Sequence, residues 1–593
     1  MSQPWGPTGG RALPMLEVPA PVAGARARRA PVPTGRTAEF AIEDQSLPRF
    51  HVWTLGCQMN QSDSEEMAGA LLAAGCAEAA SLDLADLIVI NTCAIREAAE
   101  QKVIGRMGTL ATLKQANPAL RVVLTGCSVR IDNASVLRRR YPAVDLFLRP
   151  DEEPELTARL GLASPTAPGE LGATEVPGAP VAAGELGATE VLGAPGDIGP
   201  TLAIRSTAEP SIGGGPSVAG RHRVGRSVAA TADPLPATRA GAVSGGRVAR
   251  GSSVRAWLPI IYGCDKTCTY CIVPFSRGPE RSRPFGDIVA EAQDLAVAGY
   301  QEITLLGQNV NSYGHDLPAE ERFGAVLSER SLGRRIARDG RPDIAALLRA
   351  IDGIRTADGV PAIPRLRFVT SHPWDLTDRL IAAMAECPSV CEHLHLPVQS
   401  GADAVLRRMG RQYSVDAYLR LVERLRAVIP GISLTTDVIV GFCGETDGQF
   451  RATLELLRTV RYDQVFAAAF SPRPGTPAAR LPDDVPSAEK RARLNELLEV
   501  QEAIGLALNQ AWPGRVTEVL VEEVRPASAH THDGEGEIDS AAGAAVIPAR
   551  RLAGRNREHK LVHFDGPGEL VGRRVPVLVE RAGPYALAGR LAG

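Results

Sequence analysis

Residues 263–271 read GCDKTCTYC and place thiols at Cys264, Cys268 and Cys271. They follow an apolar, β-like run, LPIIYG from position 258, so the three sulfurs stand just past a strand. Three thiolates do not close a tetrahedral zinc site, and an odd number cannot all pair as disulfides. A zinc knuckle would need a fourth ligand, and the next histidine, His315, is 44 residues beyond Cys271. Three sulfurs can instead hold three irons of a cubane cluster and leave the fourth iron open.

Working outward, strands and helices alternate from 256 to about 505. Six strand candidates recur: LPIIYG at 258, EITLLG at 302, RLRFVT at 365, EHLHLP at 392, ISLTTDVIVG at 432 and QVFAAAF at 464. Six βα units predict a partial (βα)6 TIM-like barrel, whose sites lie past the C-terminal strand ends. A charged stretch, 314–343, reads as a surface insertion. Upstream, 49–162 alternates in the same way and predicts a flavodoxin-like parallel α/β domain. Downstream, 512–593 carries short β-branched runs (VTEVLVEEV, KLVHF, RVPVLVERA) and predicts a small β-barrel. The fold class is therefore α/β multidomain, with the central unit over 254–508. Residues 163–253 are rich in Gly, Ala and Pro and repeat GELGATEVPGAP as GELGATEVLGAP, which reads as a low-complexity linker. Residues 1–48 read as a disordered lead.

A second set of thiols lies upstream. Cys57, Cys93 and Cys127 sit in FHVWTLGCQMN, DLIVINTCAIRE and RVVLTGCSVR, each one or two small residues past an apolar run. The spacings, 36 and 34 residues, match one βαβ unit each. Residues just past successive parallel strands emerge on one sheet edge, so these three can converge. Packing is the alternative for any single cysteine, and it is the reading for Cys76 in an Ala-rich helix.

Ten cysteines among 593 residues are too few for a disulfide scaffold, and six at metal-ligand positions imply a reducing compartment. No run is long and apolar enough to span a bilayer, and no hydrophobic signal core is present, so a cytoplasmic protein with no membrane partner is expected. A net charge of −3 makes no global case for nucleic acid; the basic residues near the C-terminus make a local one.

GCDKTCTYC, with Tyr270 before the last cysteine, resembles the cluster loop of radical S-adenosylmethionine enzymes. With a second trio upstream, the chain resembles the methylthiotransferase family, which joins an N-terminal cluster domain, a radical barrel and a TRAM domain. TLGCQMNQSDSE at 54–65, NTCAIREAAEQK at 91–102, CIVPFSRGPERSRP at 271–284 and GQNVNSYG at 307–314 look like its MiaB-type branch. TSHP at 370–373, LHLPVQSGAD at 394–403 and SPRPGTPAA at 471–479 agree. The resemblance implies two 4Fe-4S clusters, on Cys57, Cys93 and Cys127 and on Cys264, Cys268 and Cys271, together with S-adenosylmethionine. It implies 2-methylthiolation of N6-isopentenyladenosine beside the tRNA anticodon. It also implies a monomer fed by a low-potential donor such as flavodoxin or ferredoxin. The branches acting on threonylcarbamoyl-adenosine or on a ribosomal protein usually carry lysine near Gln58. An iron–sulfur RNA-binding redox sensor without turnover is the non-enzymatic alternative.

Cofactor contacts are expected at Tyr270, at Gly307, Gln308 and Asn309 past the second barrel strand, and at Gln399 and Ser400 past the fourth. RNA contacts are expected at Arg550, Arg551, Arg555, Arg557 and Lys560. Arg277, Arg281 and Arg283 are read as phosphate contacts or as a solvated face, and His393 and His395 as satisfied interior histidines. The chain departs from the family where VGFCGET puts Cys443 in place of a turn proline, for which packing is expected, and where Ser276 replaces threonine.

Overall fold

The structure is a computed structural model and describes residues 48–93, 97–130, 133–162, 248–324, 326–332, 334–525 and 550–592. Apart from residues 48 and 248–253, the expected lead and linker lie outside the described residues.

Five parallel strands form the N-terminal sheet in the order Ala77–Glu78, Arg49–Leu55, Leu87–Thr92, Arg121–Thr125, Leu146–Phe147. This is the doubly wound order of flavodoxin-like domains. The unbroken apolar strands arise because both faces are covered. Alternate residues of adjoining strands serve opposite cores. Leu87, Val89 and Val123 join Phe50 and Leu71 on one face, while Ile88, Ile90, Val122 and Leu124 join Val103 on the other. Each side chain so buried contributes roughly 1.5–3 kcal/mol.

The central unit is a half-barrel of six parallel strands, Arg255–Pro259, Glu302–Leu306, Arg365–Phe368, His393–His395, Ser433–Val440 and Gln464–Ala469. They pair in chain order as two triplets, with a parallel bridge from Leu366 to Val390 between them. Side chains cap the outer helices: Asp343 accepts from Ala346 N at 2.8 Å to start Ile344–Asp352, and Thr446 with Gln449 forms a capping box for Asp447–Val460. The first strand begins three residues before the expected LPIIYG. Ile261–Tyr262 pairs antiparallel with Arg281–Ser282 instead, which ties residues 263–280 into a closed loop. The charged 314–343 stretch contains an antiparallel hairpin, Val326–Ser331 against Arg334–Asp339.

The C-terminal strands close into a five-stranded barrel, ordered Val516–Arg525, Arg550–Arg555, Leu561–Gly566, Ala586–Leu591, Arg574–Ala582, around Val519, Val521, Phe564 and Val577. It seats on the N-terminal ends of the half-barrel strands. The fully buried Arg365 donates to Arg555 O at 2.6 Å and to Glu518, and Arg367 donates to Glu302, Asn556 O and Arg557 O. His393 stacks on His559 with ring centroids 4.5 Å apart. The N-terminal domain sits at the other end, where Cys57 and Met59 pack with Tyr262 and Leu306. Among the described residues, no helix is long and apolar enough to cross a membrane.

Candidate active site at the domain junction

The sheet order carries the upstream trio to one edge. Cys57, Cys93 and Cys127 follow three neighbouring parallel strands, and Cys57 occupies the N-cap position of helix Gln58–Ala73. Gly126 has φ +90°, and a Cβ there would lie 2.3 Å from Thr92 O, so only glycine lets the third strand end turn in beside the second. Beneath the sulfurs lies a buried amide network. Asn60 Nδ2 donates to Asn91 Oδ1 at 2.7 Å, Asn91 Nδ2 donates to Asn60 O at 2.8 Å and to Ser64 Oγ at 3.1 Å, and Cys57 Sγ donates to Asn60 Oδ1 at 3.3 Å. The Cys93 hydrogen bond, with help from Arg277, holds the Cys57 thiol down at about 6 against burial. Burial pushes Cys127 up, opposed by Arg277.

The second trio is built by one loop. Gly263 has φ +76°, and a Cβ there would meet Pro279 O at 2.0 Å, where Cys264 N bonds back to Gly278 O at 3.1 Å. Thr269 pins the loop to the barrel through its N–H to Met409 O at 2.9 Å and its hydroxyl to Arg408 O at 2.8 Å. Arg411 is buried. It donates to Cys268 Sγ at 3.4 Å, to Pro397 O at 2.7 Å and to the Tyr413 hydroxyl at 2.9 Å. Burial pushes Cys271 up to about 12 and Cys264 up as well. Cys127 adds a lesser push in the same direction from across the junction.

Arg277 links them. Its Nε donates to Cys127 Sγ at 3.1 Å and its Nη2 to Asp63 Oδ2 at 2.5 Å, while the side chain belongs to the loop carrying the other trio. Arg277 is 4% exposed and Arg283, paired with Glu291, is 4% exposed. Both readings of these two arginines, phosphate contact and solvated face, are therefore corrected: Arg277 is covered by Asp63 and Cys127 of the N-terminal domain, and Arg283 is held by Pro259 O and Glu291 within the half-barrel.

The expected cofactor contacts divide. Gln308 Oε1 accepts from Gly263 N at 2.5 Å, and Asn309 Nδ2 donates to Glu280 at 3.2 Å and to Asp375 at 2.8 Å. Gln308 Nε2 and Asn309 Oδ1 are buried without a protein partner, and Gly307 leads into them. Tyr270 packs edge-on against Phe442, with centroids 6.5 Å apart, in a cluster that also holds Met409, Cys443 and Phe470. Gln399 adopts φ +75° and bonds through its backbone to Asp437 and Ile439. The Ser400 hydroxyl faces Thr453 Oγ1 at 3.4 Å rather than the cluster loop.

Sequence reasoning did not single out Asn60, Asp63, Asn91, Arg277 as a sulfur donor, or Arg411. The first four lie in the motifs TLGCQMNQSDSE, NTCAIREAAEQK and CIVPFSRGPERSRP, and Arg411 lies eight residues past LHLPVQSGAD. His315, remote in sequence, folds back to the cluster loop, its ring 3.5 Å from Glu280 and 3.7 Å from Asp265. His395 bonds Thr435 at 2.9 Å and Asp437 at 3.3 Å, and His393 lies 3.3 Å from Thr435. Cys443 is buried in the Tyr270 cluster, and Cys387 in the half-barrel core.

Of the basic residues expected on RNA, Arg550 is exposed and Arg551 lies 3.4 Å from Asp565. Arg555 pairs with Glu522 at 2.9 Å, Arg557 with Glu392 at 2.7 Å and Lys560 with Asp463 at 2.6 Å. The last two pairs seat the C-terminal barrel on the half-barrel.

The donor set fits iron–sulfur clusters. Each trio offers three thiols, and one buried guanidinium donates to a sulfur of each, which suits an anionic sulfur-rich group. Comparisons with known proteins agree with this chemistry. Residues 258–457 match the radical SAM superfamily, and residues 49–149 match a family described as uncharacterized protein family UPF0004. A tRNA-2-methylthio-N(6)-dimethylallyladenosine synthase of Carboxydothermus hydrogenoformans is 37% identical over 91% of this chain and 99% of its own length. Proteins of that name from Symbiobacterium thermophilum (38% identical, 93% of this chain, 96% of its own length) and Geobacillus kaustophilus (37%, 93% and 85%) align as broadly. With both family matches and relatives of this extent, the chain belongs to the MiaB-type methylthiotransferase family of radical S-adenosylmethionine enzymes.

Proposed function

We propose that the protein is a tRNA-2-methylthio-N6-dimethylallyladenosine synthase, which installs a methylthio group at C2 of N6-isopentenyladenosine next to the anticodon. The observation that carries the reading is the meeting of two cysteine trios across one buried arginine, from domains whose relatives bear that name. Cys264, Cys268 and Cys271 would hold one 4Fe-4S cluster, and Cys57, Cys93 and Cys127 a second. When bound, these groups would pass on the electron that cleaves S-adenosylmethionine and deliver, from or through the upstream one, the sulfur that the product acquires.

The chain's own residues do the positioning. The unpartnered Gln308 Nε2 and Asn309 Oδ1 offer a donor and an acceptor to S-adenosylmethionine beside the cluster loop. Burial of Cys93, Cys127 and Cys264 keeps water from the sulfurs. Arg550 is the exposed cation of the expected RNA strip, and Arg551 lies half-buried beside Asp565. A monomer served by a flavodoxin- or ferredoxin-type donor completes the proposal.

Nucleoside mass spectrometry of tRNA from a strain lacking the gene tests it. Loss of the methylthio-isopentenyl nucleoside, restored by the intact chain, is expected. An undiminished level rejects the reading, and loss of a methylthiolated threonylcarbamoyl nucleoside instead assigns the chain to the sister activity.

A further inference from the structure

Five residues separate Cys271, a ligand candidate of one trio, from Arg277, which touches the other. The connecting helix, Val273–Ser276, is a single turn, and Arg277 N closes it on Val273 O at 2.8 Å. The guanidinium is held from two sides, by Asp63 through Nη2 and by Cys127 through Nε. Its own carbonyl accepts from Arg281 Nη2 at 3.1 Å.

A buried Arg–Asp pair is seldom worth more to stability than apolar packing of equal volume. Charge balance for Asp63 alone would be met by lysine. The fork that addresses a carboxylate with one nitrogen and a sulfur with another is particular to arginine. Hydrogen bonds to ligand sulfurs draw electron density from a cluster, stabilise its reduced form and raise its reduction potential.

Resting on the two-cluster reading above, we propose that Arg277 is the positioning residue of the upstream cluster. Its Nε–H on the Cys127 sulfur raises that cluster's reduction potential, while the Asp63 pair fixes its register against the cluster loop. The barrel trio receives its sulfur hydrogen bond separately, from Arg411.

The test uses the full chain with Cys264, Cys268 and Cys271 replaced by alanine, reconstituted anaerobically so that only the upstream site can load. Iron and sulfide are counted, and the midpoint potential is read by EPR-monitored titration for this parent and for Arg277→Lys and Arg277→Gln on the same background. The expected order, from most to least negative, is Gln, Lys, parent, with the iron count retained. Lysine keeps the charge and loses the aimed Nε–H, so it separates the hydrogen bond from simple charge. A lysine variant titrating at the parent potential overturns the proposal, as do two variants that both do so. If the glutamine variant loses its iron, the lysine variant decides by the same criterion. A purely structural role would lower the iron count or melting temperature without moving the potential of the iron retained. A parent that binds no iron overturns the two-cluster reading, and this proposal with it.

Discussion

The two cysteine trios use identical side chains and are built by opposite means. The upstream trio is gathered from three strand ends spread over 71 residues, whereas the barrel trio occupies eight consecutive residues. The first exists only once the parallel sheet has formed. The second is local, and its shape depends on a two-residue ladder and one glycine. Their electrostatic surroundings differ too. In the first, Cys57 is held near 6 by Cys93 and Arg277; in the second, burial lifts Cys271 to about 12. Neighbouring groups therefore favour the Cys57 thiolate at the upstream site, whereas burial disfavours the thiolate at Cys264 and Cys271, which give up their protons as a metal binds. A thiol trio assembled by tertiary structure brings partners from other elements to tune it. One held in a loop has mainly its own backbone and whatever lies beneath.

The sharpest way to break the comparison is to delete each trio in turn. Replacing Cys264, Cys268 and Cys271 with alanine should reduce 5′-deoxyadenosine release about a hundredfold or more. Replacing Cys57, Cys93 and Cys127 should retain release and abolish the methylthio product. Chromatography of both products from reduced, anaerobic protein checks this, and identical losses from the two deletions would remove the distinction.

A smaller effect is expected from the two glycines. Gly126→Ala and Gly263→Ala each place a Cβ within 2.3 Å of a backbone oxygen at positive φ. Each should cost roughly 1–3 kcal/mol locally. Gly126→Ala should lower iron only at the upstream trio and Gly263→Ala only at the barrel trio, read as iron per chain in the two deletion backgrounds. Crossed effects would show that the sites are assembled together.

Fold and site were legible to different depths. Ile88, Ile90, Val122 and Leu124 betray a two-sided parallel sheet because a strand's face alternates residue by residue, which is a local rule. The positions of the six cysteines, at strand ends or within one loop, were legible for the same reason, since each sits at a fixed step from such a strand or inside one loop. Arg277 and Arg411 were not, because whether a cation is buried depends on what folds over it, and Asp63 is 214 residues from Arg277. The strip from Arg550 to Lys560 was legible only in part. Its local charge density is visible in the chain, but the carboxylates of Glu392 and Asp463 that engage Arg557 and Lys560 come from the half-barrel. Ser400 faces a helix hydroxyl, which periodicity cannot report.

The junction between the half-barrel and the C-terminal barrel holds no cysteine trio and serves as the control, with no effect on iron expected. His393 and His559 are stacked there, and burial keeps both well below the usual 6.5, helped by Arg367 and Arg555. Their pKa values are depressed on folding, so the stability they carry is present above about pH 6.5 and is lost as pH falls, when the unfolded chain takes up the protons first. The slope is at most about 1.4 kcal/mol per pH unit for each ring. Denaturant melts between pH 7.5 and 5.5 should show it, and His393→Phe with His559→Phe should flatten it.

The C-terminal barrel grips the half-barrel where its strands begin, through Arg365 and Arg367, and the sulfurs wait where they finish. Strand Glu302–Leu306 spans five residues, about 17 Å at 3.3 Å each. That length is a ruler. The barrel contact and the cysteine trios are therefore held at least one strand length apart, farther than any single side chain reaches.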